Sequence, residues 1–274
     1  MASKQVIGVF DSGYGGLTIL QEIRALLPEY DYVYLGDNAR TPYGSRSFEV
    51  VYNFTRQAVD KLFSLNCRLV VLACNTASAK ALRSIQQCDL PHYGTEKRVL
   101  GIIRPTAEAI CSQTQTRHIG LLGTEGTVSS GSYSMEIRKL APDICVTGQA
   151  CPMWVPLVEN GEAASEGADY FVRKYIDDLL RKDADIDLVV LACTHYPLLY
   201  DKIRRYLPQH INIVQQGPIV AESLRDYLQR HDDMRSALSQ NGTCTYLTTE
   251  QSEKFARSAS VFLQSPIDAT HTDI

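Results

Sequence analysis

At 274 residues, 45% hydrophobic and 21% charged, the chain has the composition of a folded globular protein and enough length for one large domain or two medium ones. A formal net charge of −4 with no dense Lys/Arg cluster argues against a surface built for nucleic acid or acidic lipid, and no apolar run is long enough to span a bilayer. The opening Met1-Ala2-Ser3-Lys4-Gln5 runs straight into a strand without the apolar core of a signal peptide, so the expected location is cytoplasmic.

Gln5-Val6-Ile7-Gly8-Val9-Phe10 predicts the first strand. It gives way to Asp11-Ser12-Gly13-Tyr14-Gly15-Gly16 and then to a helix with Leu17, Leu20, Ile23 and Leu27 on one face, stopped by Pro28. The glycines do not complete a dinucleotide loop, because G-x-G-x-x-G needs glycine where Thr18 stands. Two readings of the turn remain. It either aims backbone N–H groups and the Asp11 and Ser12 side chains at a small polar ligand, or it is a tight turn capped by Asp11 or Ser12. Tyr32-Val33-Tyr34-Leu35 predicts a second strand, followed by the polar loop from Gly36-Asp37 to Pro42-Tyr43-Gly44. A helix is expected over residues 48–65, with Val51, Thr55, Ala58, Leu62 and Leu65 inward.

Leu69-Val70-Val71-Leu72-Ala73 reads as a strand buried on both faces, and it hands Cys74, Asn75 and Thr76 to the helix-forming Ala77-Ser78-Ala79-Lys80-Ala81-Leu82. A thiol, a carboxamide and a hydroxyl thus stand at the carboxyl end of a parallel strand, where open α/β sheets bind ligands. Residues 98–103 predict another strand, before Arg104-Pro105-Thr106 and a short helix through Ile110. His118-Ile119-Gly120-Leu121-Leu122-Gly123-Thr124 then echoes the first strand and its turn. A strand follows around residues 144–147. Over residues 150–161, two prolines exclude a long regular element. Trp154 reads there as a buried anchor, and Glu159 as an acid able to line a cleft. A helix is expected over residues 163–181, with Ala168, Val172, Tyr175 and Leu179 inward.

Leu188-Val189-Val190-Leu191-Ala192-Cys193-Thr194-His195-Tyr196-Pro197 repeats the thiol-bearing strand, with a helix opening on Pro197. Beyond it lie a strand at residues 211–214, a helix carrying Val220, Leu224 and Leu228, a polar loop over 230–242, a strand at 243–247, a helix at 251–262 and a frayed end over 265–274. The expected fold is α/β, with two pseudo-symmetric domains of parallel-type sheets flanked by helices and the site in the cleft between them. The first domain would comprise residues 1–97 plus 207–274, with the tail beyond about residue 230 an extension, and the second residues 98–206.

None of the eight cysteines forms a C-x-x-C pair and no paired His motif accompanies them, which argues against a structural zinc site; a reducing compartment argues against disulfides. Cys67, Cys111, Cys145 and Cys244 read as small core residues. Cys74 and Cys193 stand apart by position. A single catalytic Cys would need a His such as His195 to carry its proton, but that leaves the other thiol without a task. Two thiols across a cleft suit removal of a proton from one face of a carbon and delivery to the opposite face. Free thiols titrate near pH ~8.5, close enough to neutral for either role. Asp11 and His195 could assist those proton movements, and Asn75, Thr76 and Thr194 could hold a carboxylate.

The blocks Asp11-Ser12-Gly13-x-Gly15-Gly16-Leu17, Gly36-Asp37, Pro42-Tyr43-Gly44, Ala73-Cys74-Asn75-Thr76-Ala77, Gly123-Thr124-x-Gly126-Thr127, Val155-Pro156-Leu157-Val158-Glu159 and Cys193-Thr194-His195-Tyr196-Pro197-Leu198 together resemble bacterial glutamate racemase, in order, from about residue 7 to 225. The resemblance implies a cofactor-independent homodimer that supplies D-glutamate for peptidoglycan, with Cys74 and Cys193 as the acid/base pair. Substrate contacts would come from Asp11, Ser12, Tyr43, Gly44, Asn75, Thr76, Thr124, Thr194 and His195, with Asp37 and Glu159 as supporting acids. Arg104-Pro105-Thr106 departs from the Gln-Pro-Gly of many relatives. Rival readings are a related racemase of aspartate or another amino acid, a Cys–His hydrolase or amidotransferase, and a non-catalytic amino-acid-binding protein.

Overall fold

A computed structural model of the protein describes residues 5–274; the first four residues of the opening stretch lie outside them. Ten strands follow in chain order: β1 (Val6–Asp11), β2 (Tyr32–Gly36), β3 (Cys67–Leu72), β4 (Arg98–Gly101), β5 (His118–Gly123), β6 (Cys145–Ala150), β7 (Leu188–Ala192), β8 (Asn212–Val214), β9 (Cys244–Thr248) and β10 (Ala269–His271). They form two sheets, ordered β10-β9-β2-β1-β3-β4 and β6-β5-β7-β8, and the paired strands run parallel. Within each half the strands run second, first, third, fourth, so the echo seen along the chain is a repeat of topology. β3 and β7 each lie between two strands and under helices, which is why their sequences are continuous apolar runs.

The repeated glycine has a packing reason. A Cβ on Gly8 would sit 3.1 Å from Cys67 Sγ and 3.2 Å from Leu62 Cδ1, and one on Gly120 would sit 2.8 Å from Leu179 Cδ2. In each half a long helix, Phe48–Ser64 or Glu166–Lys182, presses on the first strand at that point.

Strand pairing moves the expected boundaries between the units. β4 bonds to β3 and β8 bonds to β7, so residues 98–101 belong to the first sheet and residues 212–214 to the second. The chain passes between units just after each of these strands, because β4 and β8 are the outer fourth strands of their respective halves.

The C-terminal segment also differs from expectation. Residues 232–237 form a helix, with Asp232 and Asp233 in its first turn and Met234 buried, instead of a loop. The end of the chain is not frayed: β10 pairs with β9, which pairs with β2, so the segment adds two strands to the first sheet. Smaller differences have local causes. Leu65 is exposed because the helix ends at Ser64 and the chain turns at Asn66 with φ of 65°. Pro197 opens a 3₁₀ turn, Tyr196–Leu199, ahead of the helix Tyr200–Tyr206. Among the four cysteines read as core, Cys67 is fully buried, Cys111 and Cys244 are half-buried, and Cys145 is exposed because it opens the edge strand β6.

Candidate active site

Cys74 leaves β3 as the N-cap of the helix Asn75–Lys80, with its Sγ accepting the Ala77 N–H at 3.4 Å. Its S–H reaches Ser12 Oγ at 3.4 Å, which ties the two carboxyl-end turns of the first sheet together. Burial, reinforced by the negative charge of Asp11, pushes the Cys74 thiol up to about 12, against its hydrogen bonds with Ser12 and Ala77. Charge on Cys193 acts in the same direction, which places the second sulfur in the same electrostatic site.

Cys193 directly follows β7, ahead of the 3₁₀ turn Tyr196–Leu199, and lies 3.9 Å from His195 Nδ1. The other ring nitrogen, Nε2, meets Glu159 Oε1 at 2.9 Å. Burial disfavours charge on the imidazole, but Cys193 on one side and Glu159 on the other outweigh it and push the His195 pKa up to about 10. The result is a chain of contacts reaching from the short helix Trp154–Glu159 through the imidazole to the sulfur. Phe262 packs edge-on against the His195 ring at 5.5 Å, so the C-terminal helix Ser252–Leu263 closes one wall of the site. Trp154 is the buried anchor expected of it.

Asp11 is buried beneath the cleft, with Oδ2 accepting the Gly13 N–H at 2.9 Å and Oδ1 without a hydrogen-bond partner among the described residues. Burial raises its carboxyl above the ordinary range, only partly offset by charge on His195 and by the Gly16 and Gly13 amides. A carboxyl whose pKa rises on folding weakens the fold at any pH above its unfolded value of about 3.9. Asp11→Asn is therefore expected to raise Tm at pH 7 while lowering kcat by about 10²-fold or more. Thermal melts read beside turnover check this, and a lower Tm would disprove the electrostatic account.

The remaining candidates divide into two groups. In the first, hydroxyls and backbone meet across the cleft. Thr76 and Thr124 share a hydrogen bond of 3.0 Å, and Gly126 N–H donates to Gly44 O at 2.7 Å. A Cβ on Gly44 would lie 2.9 Å from Thr124 Cβ, and one on Gly15 would collide with the Thr194 and His195 side chains. Glycine at 15 and 44 is what lets the halves approach. In the second group, side chains face neighbouring protein. Tyr43 donates to Asp37 Oδ2 at 2.5 Å, and Asp37 also accepts Arg40 Nε at 2.7 Å and Thr249 Oγ1 at 2.9 Å. Asp37 thus fixes the Tyr43 loop.

Asn75 belongs to a buried ring that its motif did not reveal. It donates to Gln216 Oε1 at 2.6 Å and accepts from Tyr133 OH at 2.7 Å, while Gln216 Nε2 donates to Tyr133 OH at 2.6 Å and Thr106 Oγ1 at 2.9 Å. One Asn75 N–H is left for a ligand. Thr106, part of the departure at Arg104-Pro105-Thr106, contributes the fourth member. Gln216→Ala is expected to cost about 2–3 kcal/mol, because it orphans buried partners on both sides. Urea titration measures it; a loss below about 0.5 kcal/mol would mean the ring holds nothing together.

A separate cavity of about 970 Å³ opens against the helices Ile103–Ile110 and Ser132–Leu140, lined by neither thiol, nor His195, nor any other site candidate.

A family model described as Asp/Glu/Hydantoin racemase matches residues 17–224. A glutamate racemase of Roseobacter denitrificans is 37% identical over 272 residues, covering 96% of this chain and 98% of the relative. A glutamate racemase structure from Bacillus anthracis superposes with a TM-score of 0.89 at 33% identity, covering 98% of each chain. One from Francisella tularensis, in complex with D-glutamate, gives 0.85 at 27% identity, covering 99% of this chain and 97% of its own. The family model stops at residue 224, whereas the full-length matches run on over the segment beyond residue 230.

Proposed function

The chain belongs to the Asp/Glu/hydantoin racemase family, alongside its glutamate racemases, and from that premise we propose that it interconverts L- and D-glutamate by passing the Cα proton between Cys74 and Cys193. The observation that carries this reading is the asymmetry of the two sulfurs. Burial and Asp11 hold Cys74 as a thiol, whereas Cys193 lies 3.9 Å from His195 Nδ1, a ring nitrogen placed to exchange a proton with it.

In one direction the Cys193 thiolate takes the Cα proton. The electron pair of that bond stays on Cα, delocalised into the α-carboxylate, and the Cys74 S–H delivers a proton to the opposite face. In the reverse direction the roles exchange, with Asp11 the acid/base group beside Cys74 and His195 the one beside Cys193. The free Asn75 N–H with Thr76, Thr124 and Thr194 hydrogen-bond the carboxylates, and Ser12, Tyr43 and Gly44 complete the wall. Glu159 keeps His195 charged and oriented.

Asp11, Cys74, Thr76, Cys193, Thr194 and His195 are all buried, so glutamate enters only when the two halves separate. Product D-glutamate serves peptidoglycan synthesis in the cytoplasm, and the protein works as a homodimer without a cofactor. No helix among the described residues is long and apolar enough to cross a membrane.

The test is wash-in of solvent deuterium at Cα. Both glutamate enantiomers are expected to exchange with the purified protein in the presence of a chelator and without added pyridoxal phosphate. Exchange of aspartate but not glutamate would move the activity to the aspartate branch. Ammonia release or an acyl adduct would identify a Cys–His hydrolase, and binding without exchange a non-catalytic protein.

A further inference from the structure

We propose that His118, Cys145 and Asp183 form a binding site for a thiophilic divalent cation of the zinc class, at the end of the second sheet opposite the catalytic thiols. His118 opens β5 and Cys145 opens β6, and strand pairing sets them directly opposite one another. Asp183 follows as the C-cap of the helix Glu166–Lys182. One donor atom from each of the three side chains lies within 4.8 Å of the other two. Zinc bonded at about 2.0–2.3 Å in a tetrahedron sets its ligand atoms roughly 3.5 Å apart, so modest side-chain rotations close the site.

One nitrogen, one sulfur and one oxygen donor suit zinc or a close relative better than magnesium or calcium, which prefer oxygen alone. The carboxylate is already oriented. Thr147 Oγ1 donates to Asp183 Oδ2 at 3.0 Å, and the Asp185 N–H donates to Oδ1 at 3.1 Å. His118 Nδ1 stands 2.9 Å from Asp183 Oδ2, the geometry of a shared proton that a cation can replace. Asp185 and Asp187 add negative field at His118. The adjacent cation, Arg117, is taken up by Asp143 at 2.7 and 2.8 Å. Cys145 is exposed, which leaves a fourth position open to water.

A bare His–Asp pair joining strand to helix would explain His118 and Asp183 but would give an exposed thiol beside them no task. The six residues of β5 put the site roughly 17 Å along the sheet from the active-site turn. An ion there clamps β5, β6 and the long helix without touching the glutamate cleft.

The experiment titrates reduced, chelator-stripped protein with Co²⁺ as a spectroscopic probe and then with Zn²⁺. One equivalent is expected to bind, with a thiolate-to-cobalt charge-transfer band. Zinc at about a hundredfold excess over Kd should raise Tm by about 5 °C. Cys145→Ser should abolish the band, and His118→Asn should weaken binding about tenfold or more. Both variants are expected to retain the parent circular dichroism and racemisation rate. A band that survives Cys145→Ser places the metal on other thiols and overturns the assignment, as does failure to bind one equivalent.

Discussion

Cys74→Ala and Cys193→Ala are each expected to lower kcat/KM for racemisation by about 10³-fold or more, in both directions. A single proton carrier can return a proton only to the face from which it came. Inversion at Cα therefore needs a group on each side, and removing either stops every turnover whichever enantiomer is supplied. At about 4 kcal/mol, this loss is larger than any expected from the supporting residues. The two variants should also differ. Each retains one sulfur, so residual deuterium wash-in at Cα should be confined to one glutamate enantiomer, and to opposite enantiomers in the two proteins. Circular dichroism follows inversion and proton NMR in D₂O follows wash-in. Near-parent racemisation by either variant would remove the two-thiol assignment.

Glu159→Gln is expected to shift the alkaline limb of the pH–rate profile. In the parent, Cys193 and Glu159 hold the His195 pKa at about 10, so the imidazolium persists through neutral and mildly alkaline pH. Replacing the carboxylate with a neutral amide removes one of those partners, and the pKa falls back toward the unperturbed value of about 6.5. The limb should then move down by about 1–2 pH units, giving a loss of roughly 2–10-fold at pH 9 with little change at pH 6. Stability carries the same sign. A histidine whose folded pKa is raised contributes stability fully present below about pH 6.5 and lost as pH rises toward about 10. Parent Tm should fall across that window, and the fall should be smaller in Glu159→Gln. A rate profile that keeps its alkaline limb in the variant would show that Glu159 does not govern His195.

Much of the site was legible because it lies at strand ends. The apolar runs before Cys74 and Cys193 mark strands buried on both faces, and such a strand delivers whatever follows it to the carboxyl edge of its sheet. The echo of Val6-Ile7-Gly8-Val9-Phe10 in His118-Ile119-Gly120-Leu121-Leu122 marks two halves, and the structure gives both the same strand order. The polar residues just past those ends, from Asp11 to Thr194 and His195, were recognisable from their place in these short blocks.

What the chain order left open are the relations between residues far apart along it. The polar stretch after Arg230 hid a helix, and the closing residues looked frayed until β9 and β10 joined the first sheet, because an edge strand needs only a partner backbone and little apolar pattern. Gln216 carries no motif, and Tyr133 and Thr106 lie on separate helices; only packing makes them a ring around Asn75. Asp37 read as a supporting acid and serves to hold Tyr43. The proposed cation site likewise has no signature in cysteine spacing, which compares neighbours in sequence, because His118 and Cys145 become neighbours only through strand pairing. The sequence by itself therefore determined the two thiols, the parallel α/β halves and the polar residues at the strand ends, since each follows from local periodicity. Tertiary structure alone decided how those residues are charged and held, because burial and partners from distant segments set pKa values and hydrogen bonds.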